Sequence, residues 1–398
     1  MNVAIVGGGI GGLAAALALL RKGFDVEVYE QSKVLKEVGA GVQLTPNGAK
    51  VLLALGLADE LEQHGTATTG KMASLWDTGQ SKQFMQLGAN ATDQYGAPYL
   101  TFHRADLHEL LLRAVLREKP GAVHLNKSCI GFKDDGKSVT LNFDDGQTAS
   151  ASAMIGADGV HSRIRQALFG KDRASFTGCM AWRGLIPAER LGPTINLKGG
   201  GMWLGPAAHI VTYPIRKGAM LNFIGMVDSD GWTLESWNAE GSLDECRADF
   251  VGWHPDVQQM IENIEIPYKW ALIVREPLDR WSVGRVSLLG DACHSTLPFL
   301  SQGANMAIED SLVLARCFEA HPENVEQALQ LYENTRRERT AKIVRSSAAQ
   351  VTRVHSPELA NPEGSAQYVA REWSNKEVGD RYQWIYGYDA RTAPLGAP

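Results

Sequence analysis

The chain has 398 residues, of which 44% are hydrophobic and 21% are charged, and this length predicts two domains with cores of their own. The formal net charge of −6 opposes binding to nucleic acid or to an anionic membrane surface. No apolar run is long enough to span a bilayer, and the first residues do not resemble a signal peptide. The five cysteines lie far apart, which indicates neither a disulfide framework nor a metal site. We expect a cytoplasmic monomer or homodimer.

The N-terminal segment predicts a βαβ unit that binds a dinucleotide. Its apolar pattern indicates a buried strand, a helix and a second strand, at residues 2–6, 11–22 and 25–30. Gly7, Gly9 and Gly12 form a GxGxxG motif between the first strand and the helix, where they allow a tight turn and close approach of a pyrophosphate. Glu30 ends the second strand, where a carboxylate accepts hydrogen bonds from a ribose and repels a 2′-phosphate. This unit argues against NADP and leaves FAD and NAD open.

Beyond this unit, the sequence alternates between predicted helices and strands. In chain order these elements are predicted at residues 47–63, 104–117, 138–143, 154–157, 285–289, 303–318 and 324–350. Between about residues 177 and 281, tryptophans recur among short β-like runs, which indicates a second domain inserted into the first. The basic stretch at residues 336–345 is interrupted by an acidic residue, and we interpret it as a solvated helix face rather than a nucleic-acid patch.

Three further motifs give the chain a resemblance to a known family. They are HRADL at residues 103–107, GADGVHSRIR at residues 156–165 and GDACHSTLPFLSQGANMAIED at residues 290–310. Together they resemble the single-component FAD-dependent aromatic hydroxylases, the group A flavoprotein monooxygenases that include the 3-hydroxybenzoate 6-, salicylate and 6-hydroxynicotinate 3-monooxygenases. The resemblance runs over nearly the whole chain, and it implies that the bound nucleotide is FAD. NADH or NADPH is then a transient co-substrate, since no second GxGxxG motif follows Glu30.

The resemblance also assigns residues to the cofactor. It implies that Arg104 reaches FAD, that Asp158 belongs to a motif serving FAD and the nicotinamide cofactor, and that Asp291 binds the ribityl chain. Backbone N–H groups at the start of the next helix would face the flavin where negative charge gathers on reduction. For some positions, such as Val42 and Cys129, ordinary packing is the alternative. The expected FAD contacts are Gly7, Gly9, Gly12, Glu30, Gln31, Val42, Gln43, Arg104, Cys129, Asp158, Asp291, Gly303, Ala304 and Asn305.

The fold implied by the resemblance is α/β, with a Rossmann-like FAD-binding domain interleaved with a β-sheet substrate domain, as in 4-hydroxybenzoate hydroxylase, and a C-terminal helical region. We assign residues 1–70, 98–176 and 281–345 to the FAD-binding domain, residues 71–97 and 177–280 to the substrate domain, and residues 346–398 to the helical segment. The sequence leaves open whether that last segment is a dimer contact or a tail.

The family reaction requires a group that takes the proton of a phenol. The resemblance implies that the nicotinamide cofactor reduces the flavin, that oxygen adds at its C4a atom, and that OH passes to a phenolate ring in a pocket without water. His209 and Tyr213 share one face of a predicted strand. Because histidine suits a base at neutral pH and a tyrosine hydroxyl can hold a carboxylate or phenolate, we predict that both are catalytic and contact the substrate. A purely structural role for the pair is the alternative.

Three more residues bear on the substrate. Arg183 can supply a cation for a carboxylate, or it can form an ion pair at a strand edge. Pro298 and Phe299 stand where some relatives place a polar substrate contact. We therefore predict hydroxylation of a small hydroxylated aromatic carboxylate ortho or para to its hydroxyl, and salicylate, 3-hydroxybenzoate and 6-hydroxynicotinate all stay open. The alternatives are a flavin oxidase or dehydrogenase of an amine or hydroxy acid, and a flavin-binding regulatory protein without turnover.

Overall fold

The computed structural model describes residues 1–35, 40–171, 174–229 and 239–396. The strands in these ranges, in chain order, are β1 (Asn2–Val6), β2 (Asp25–Tyr29), β3 (Gly41–Leu44), β4 (Thr66–Ala67), β5 (Gly70–Leu75), β6 (Ser81–Gln86), β7 (Leu100–His103), β8 (Val123–His124), β9 (Cys129–Asp134), β10 (Val139–Phe143), β11 (Thr148–Ala151), β12 (Ala153–Gly156), β13 (Ala174–Pro187), β14 (Gly200–Gly205), β15 (Ala208–Ile215), β16 (Met220–Asp228), β17 (Tyr268–Arg275), β18 (Ser282–Val283) and β19 (Val286–Leu288).

The α-helices of the same ranges are α1 (Ile10–Arg21), α2 (Pro46–Ala54), α3 (Ala58–His64), α4 (Ala89–Tyr95), α5 (Arg104–Glu118), α6 (Arg163–Phe169), α7 (Leu243–Asp249), α8 (Pro255–Glu262), α9 (Asp291–His294), α10 (Gly303–Ala320), α11 (Val325–Ala348), α12 (Val351–Val354), α13 (Pro362–Glu372) and α14 (Asn375–Tyr386). Short 3-10 turns lie at Ala188–Arg190, Arg216–Gly218, Pro298–Leu300 and Pro357–Ala360.

A six-stranded sheet in the order β18-β19-β12-β1-β2-β8 forms the nucleotide-binding half of the molecule. β1 pairs in parallel with β2 and with β12, so that Val6 lies opposite both Tyr29 and Gly156 and the carboxyl ends of the three strands meet at one edge. α1 packs against α5 and α10 and is buried along most of its length, which explains its run of alanines and leucines. The predicted βαβ unit is present, with each element ending within a residue or so of its expected bounds.

A seven-stranded sheet in the order β17-β13-β16-β15-β14-β5-β6 forms the second half. Its strands come from two separate stretches of chain, on either side of β7 to β12, so the interleaved α/β fold predicted from the sequence is confirmed. One face packs on α7 and α8 through Trp182, Phe223 and Phe250. The other face is turned toward the turn at residues 297–300, α11 and the C-terminal helices. Among the tryptophans of this region, Trp232 and Trp237 lie outside the described residues.

The region predicted as one helix at residues 47–63 consists of two helices, and the single-helix prediction is wrong. α2 ends at Ala54 and α3 begins at Ala58. Between them, Gly56 has a φ of +63°, a left-handed conformation that ends a helix and favours glycine. Leu55 offers its carbonyl to the Arg21 guanidinium of α1, so the break is tied to the nucleotide-binding half.

The basic stretch at residues 336–345 is a solvated face only in part. Lys342 and Arg345 are exposed, as interpreted, whereas the interpretation is wrong for Arg336 and Arg339. Arg336 is fully buried in α11 and forms ion pairs of 2.7 Å with both Glu309 and Asp310 of α10. Arg339 pairs with Glu309 at 2.8 Å. A periodicity pattern treats every charge as solvated, whereas these charges compensate one another inside the core.

The residues after α11 pack onto the second sheet. Their aromatic side chains share an apolar cluster with that sheet, formed by residues such as Phe84, Tyr99, Leu204, Trp373, Tyr382 and Tyr386. The segment is therefore no loose tail, and it becomes one wall of the cavity described below. No helix in the described part of the chain combines the length and the apolar character needed to cross a membrane.

Candidate active site

A cleft, here called the nucleotide cleft, opens at the carboxyl ends of β1, β2 and β12. Its lining residues are Val6, Gly7, Gly9, Tyr29, Glu30, Gln31, Lys127, Ser128, Cys129, Ala157, Asp158, Gly159, His161 and Arg163. The fold thus brings together predicted cofactor residues that are more than a hundred positions apart in sequence. This is the edge at which parallel α/β sheets bind nucleotides.

The three glycines of the GxGxxG motif have different steric surroundings. Gly7 has a φ of +113°, and a Cβ atom there would lie 2.2 Å from the Ala157 carbonyl oxygen. A Cβ on Gly12 would lie 2.0 Å from the Gly7 carbonyl oxygen, so only glycine lets α1 start this close to the turn. Gly9 precedes the first residue of α1, and a Cβ there would meet nothing within 4 Å. That open space at a helix N-terminus fits a pyrophosphate, which the unpaired N–H groups of the first turn favour.

Glu30 is held at the edge of the nucleotide cleft. Its carboxylate accepts hydrogen bonds from the backbone N–H groups of Gly8 at 2.7 Å and Ser32 at 2.8 Å. These bonds fix the carboxylate beside the glycine turn, where a carboxylate oxygen is placed to accept from ribose hydroxyls. The role of Glu30 as a ribose ligand stays a prediction.

Two cations of the nucleotide cleft were not predicted. Lys127 pairs with Asp145 and donates to Gln147 at 2.7 Å, and Arg163 donates to Ser128 at 3.3 Å. Asp158 binds the backbone N–H of Arg163 at 2.8 Å and so fixes the start of α6. Arg163 lies within the second family motif, so its charge was a signal that could have been used. Both cations suit an anionic ligand in the cleft.

The third motif builds the next part of the cofactor site. Gly290, with a φ of +65°, turns the chain after β19, and Asp291 is exposed although the three residues that follow it are buried. A Cβ on Gly303 would lie 3.9 Å from the Asp291 Oδ1 atom, so this carboxylate stands beside the first turn of α10. The N–H of Met306 donates to Gln302 at 2.7 Å as the first intrahelical bond, and the N–H groups before it point out of the helix end.

The side-chain amide of Asn305 forms its hydrogen bonds within the protein. Its Oδ1 atom accepts from the Thr45 backbone at 3.0 Å, and its Nδ2 atom donates to the carbonyls of Gln43 at 2.9 Å and Ser301 at 2.7 Å. Asn305 therefore ties the first turn of α10 to β3. Any contact with FAD would come from its backbone N–H, as for Gly303 and Ala304.

Arg104 and Val42 lie near this junction. Arg104 begins α5, and its backbone N–H donates to the Ala40 carbonyl at 2.8 Å. Val42 in β3 pairs with Phe102 in β7. Neither residue is among those that line the nucleotide cleft or the inner cavity, and their cofactor roles stay predictions.

A second space, here called the inner cavity, lies between β3, the second sheet, the turn before α10 and the C-terminal helices. Its lining residues are Gln43, Thr68, Lys71, Phe84, Tyr99, Thr101, Gly200, Gly201, Met202, His209, Val211, Thr212, Tyr213, Ile224, Met226, Pro298, Phe299, Ser301, Gln350, Val354, Trp373, Arg381 and Tyr382. The structure thus brings His209, Tyr213, Pro298 and Phe299 together with Gln43, which was expected to contact the cofactor.

Arg183 is not among the residues of the inner cavity. It lies in β13, buried, with its guanidinium over the rings of Tyr268 and Trp270 at 5.6 and 5.3 Å. Arg183 lies opposite Ile224 of β16, and Ile224 lies opposite Val211 of β15, so the three residues share one face of the sheet. Arg183 is nevertheless two strands away from β15. The sequence offered Arg183 as a cation for the substrate, but a sequence pattern could not give this lateral distance.

His209 is arranged as a neutral base. Its ring is 1% exposed and lies 5.5 Å from the ring of Phe299. Burial, reinforced by the neighbouring His355, holds the pKa of His209 well below its usual range, so the imidazole is uncharged at neutral pH. Its Nδ1 atom is hydrogen-bonded to His355 Nε2 at 2.7 Å, which leaves Nε2 for a ligand.

Tyr213 lies against the start of β3. Burial raises its pKa, so the phenol stays protonated and can donate a hydrogen bond. A Cβ on Gly41 would lie 2.7 Å from the Tyr213 hydroxyl, and the Gly41 N–H donates to Asn222 at 2.7 Å. Glycine at this position therefore allows β3 to approach the tyrosine.

Positive charge enters the inner cavity from residues that the sequence analysis did not single out. Lys71 of β5 donates to the Gln43 side chain at 3.1 Å and lies 4.9 Å from the centre of the Tyr99 ring. Desolvation lowers the pKa of Lys71 to about 8. Arg381 of α14 also borders the cavity, and burial lowers its pKa. Lys71 lies two residues before Ala73 and four before Leu75, so it shares a face of β5 with these apolar residues, which was a usable signal that the lysine faces inward.

A nucleotide cleft and a separate buried cavity with a neutral base and a cation are the features of a dinucleotide-dependent oxidoreductase. A family model described as an FAD binding domain matches residues 1–347, and the chain belongs to this FAD-binding domain family. The predicted family and the predicted cofactor, FAD, are thereby confirmed.

Relatives of the chain refine this class. It is 39% identical to the 3-amino-4-hydroxybenzoate 2-monooxygenase PtnB3 of Streptomyces platensis, over 100% of this chain and 98% of the relative. It is 36% identical to the 6-hydroxynicotinate 3-monooxygenase of Pseudomonas fluorescens, over 100% and 97% of the two chains. HpxO of Klebsiella pneumoniae, solved with FAD and uric acid, superimposes with a TM-score of 0.84 at 28% identity, over 99% and 97%. The protein is an FAD-dependent aromatic monooxygenase.

Proposed function

We propose that the protein hydroxylates a small hydroxylated aromatic carboxylate ortho or para to its hydroxyl, with NADH or NADPH as electron donor and O2 as oxidant. The observation that carries the proposal is the inner cavity, in which His209 as a base and Lys71 as a cation face one buried space. A ring that carries both a hydroxyl and a carboxylate satisfies both groups. By their names, the relatives in Streptomyces platensis and Pseudomonas fluorescens act on such rings.

FAD would be held by the residues of the nucleotide cleft and by the segment from Asp291 to the first turn of α10. When bound, FAD supplies electron transfer from the nicotinamide and activation of oxygen. Asp291 beside Gly303 offers a carboxylate to a hydroxylated chain, and the N–H groups of the α10 N-terminus favour negative charge on a ring placed there. The open space beside Gly9 and the cations of the nucleotide cleft would accommodate the pyrophosphate.

The protein side chains prepare the substrate in this proposal. His209 accepts the phenol proton at Nε2, because its lowered pKa keeps the imidazole neutral. Lys71 pairs with the carboxylate, with Arg381 as a second cation at the cavity wall. Tyr213 donates a hydrogen bond to an oxygen of the ring. Phe299 and other apolar side chains of the cavity exclude water, which keeps these electrostatic contacts strong.

Replacement of Lys71 by Met is expected to raise the KM for the aromatic acid by about tenfold to a hundredfold, because hydrogen bonds to charged groups contribute about 1.5 to 3 kcal/mol. The cation is lost while a similar aliphatic stem is kept. The corresponding phenol without a carboxylate is the matched control, and its KM is expected to change little. An equal rise in KM for acid and phenol would contradict the assignment. The measurement is steady-state kinetics with both compounds.

The function is tested by a screen with the FAD-loaded protein. The compounds are 3-amino-4-hydroxybenzoate, 6-hydroxynicotinate, 3-hydroxybenzoate and salicylate, each with NADH and with NADPH. We expect one or more acids to stimulate oxidation of the nicotinamide with matching formation of hydroxylated product. If no acid gives such stimulation, oxidation of an amine or a hydroxy acid offered in a second panel would favour the oxidase or dehydrogenase alternative. Flavin binding with no turnover would favour a regulatory protein.

The division into domains is part of the same proposal. We retain residues 1–70, 98–176 and 281–345 as the FAD-binding domain and residues 71–97 and 177–280 as the substrate domain. The membership of the strands in the two large sheets supports this division. A cytoplasmic location is likewise proposed, supported by five cysteines that are all free and buried.

A further inference from the structure

A chain of hydrogen bonds connects the inner cavity with the protein surface. His209 Nδ1 is bonded to His355 Nε2 at 2.7 Å, and His355 Nδ1 is bonded to Asp228 Oδ1 at 2.6 Å. The three residues come from β15, from the turn after α12 and from the end of β16. They are far apart in sequence, and the packing of the C-terminal segment on the second sheet brings them into line.

Burial changes steeply along this chain of bonds. The side chains of His209 and His355 are almost completely buried, whereas the Asp228 side chain is 49% exposed. Asp228 therefore has direct access to water, and His209 lines the inner cavity. The line of bonds has one end at the substrate site and the other end in solvent.

We propose that His209, His355 and Asp228 form a proton relay that carries the phenol proton of the substrate out of the closed cavity. This inference rests on the proposed function, because it needs a hydroxylated substrate in the inner cavity. His209 and the substrate form the catalytic pair, while His355 and Asp228 act through His209. The C-terminal segment thereby supplies a residue to the reaction as well as a wall to the cavity.

The relay is balanced in protons and involves no redox step. The substrate O–H bond breaks and an N–H bond forms at His209 Nε2, while the Nδ1 proton of His209 passes to His355 Nε2. The Nδ1 proton of His355 then passes to Asp228 Oδ1 and from there to water. One proton leaves the substrate and one enters solvent, and a neutral imidazole can carry out each transfer because it has one donor and one acceptor nitrogen.

The charged and titratable groups around the relay fit this role. Cys179 of β13 also contacts Asp228, with a sulfur to oxygen distance of 3.3 Å, and burial raises the pKa of its thiol to about 12, so it stays neutral. His355 is neutral at neutral pH as well, because burial lowers its pKa more than Asp228 raises it. On the cavity side, Lys71, Tyr99, Tyr213, Arg381 and Tyr382 are the titratable or charged residues that line the cavity together with His209. We assign Lys71, Tyr213 and Arg381 to the substrate.

The test uses the FAD-loaded full chain and whichever of the four named aromatic acids gives the highest coupled turnover. His355→Ala and Asp228→Asn are compared with wild type and with His321→Asn, a histidine substitution at the end of α10 outside the relay. Product formation is measured from about pH 6 to about pH 9, with and without imidazole in the buffer.

We expect both relay variants to lower kcat about tenfold or more near pH 6.5, with FAD content and KM unchanged. The deficit should shrink toward pH 9, where the substrate loses its proton without help, and imidazole should restore His355→Ala. Values of kcat within twofold of wild type at every pH would overturn the relay, as would a loss that is independent of pH and of imidazole. Absence of turnover in wild type would instead reject the proposed function.

Discussion

Replacement of His209 by Gln is expected to lower kcat for hydroxylation by about a hundredfold to ten-thousandfold near neutral pH, the range that general base catalysis contributes. Glutamine can keep a hydrogen bond to His355, but it cannot accept a proton. The pKa of His209 is lowered, so the wild-type base is neutral and active from about pH 6 upward, and its activity falls only in acid. The measurement is product formation by the FAD-loaded enzyme.

The pH dependence of this variant distinguishes a base from a packing residue. As pH rises, more of the substrate is already a phenolate, so the deficit of His209→Gln should become smaller. The control is His321→Gln, which should keep the wild-type profile. A His209→Gln enzyme with the full rate from about pH 6 to about pH 9 would show that the residue is not the base.

Replacement of Arg336 by Met is expected to lower the free energy of unfolding by about 3 to 5 kcal/mol, the usual effect of removing one partner of a buried ion pair. Arg336 is fully buried between Glu309 and Asp310, and Asp310 also binds His294 at 2.5 Å. The variant leaves the carboxylates of α10 short of positive charge, next to the turn that carries Asp291. Urea unfolding of the FAD-loaded protein measures the change.

A matched control for this variant is Arg247→Met, because Arg247 pairs with Asp244 at 2.9 Å on the surface. An exposed pair contributes about 0 to 1 kcal/mol, so this change should have little effect. Equal losses of stability in the two variants would contradict the structure of the buried network.

The sign of the pH effect on the buried network follows from its pKa shifts. Burial alone would raise the pKa of Asp310, but His294 and Arg336 outweigh it and hold the pKa below its usual value. The contribution of Asp310 to stability is therefore present above about pH 4 and lost as pH falls through the lowered pKa.

The pKa of His294 is raised by Cys293 and Asp310 against the effect of burial. The contribution of His294 to stability is therefore present below about pH 6.5 and lost as pH rises through the raised pKa. The difference between Arg336→Met and wild type should accordingly shrink in acid.

Local geometry explains which parts of the site could be predicted from the sequence. The glycines of the nucleotide cleft have steric tasks that hold in any chain with this turn, so Gly7 and Gly12 could be assigned without a structure. The alternation of residues along β15 correctly placed His209 and Tyr213 on one face. Such signals depend on neighbours in sequence, which is why the βαβ unit and this strand face were predictable.

Contacts between distant segments could not be predicted in this way. His355 meets His209 only because the C-terminal helices fold back onto the second sheet, and nothing in its local sequence indicates this. Arg183 shares a sheet face with Val211 but lies two strands from β15, and strands about 4.8 Å apart place it roughly 10 Å to the side. Lys71 was missed because a single lysine in a strand is usually exposed, although it shares one face of β5 with the apolar Ala73 and Leu75.

The most direct test of the account follows oxygen from O2 into the product. The FAD-loaded protein is incubated with 18O2, the nicotinamide donor and each of the four aromatic acids, and the product is analysed by mass spectrometry. We expect one 18O atom in the new hydroxyl of the aromatic product, with nicotinamide oxidation matching product formation. Recovery of the 18O only in hydrogen peroxide, with every acid unchanged, would contradict it.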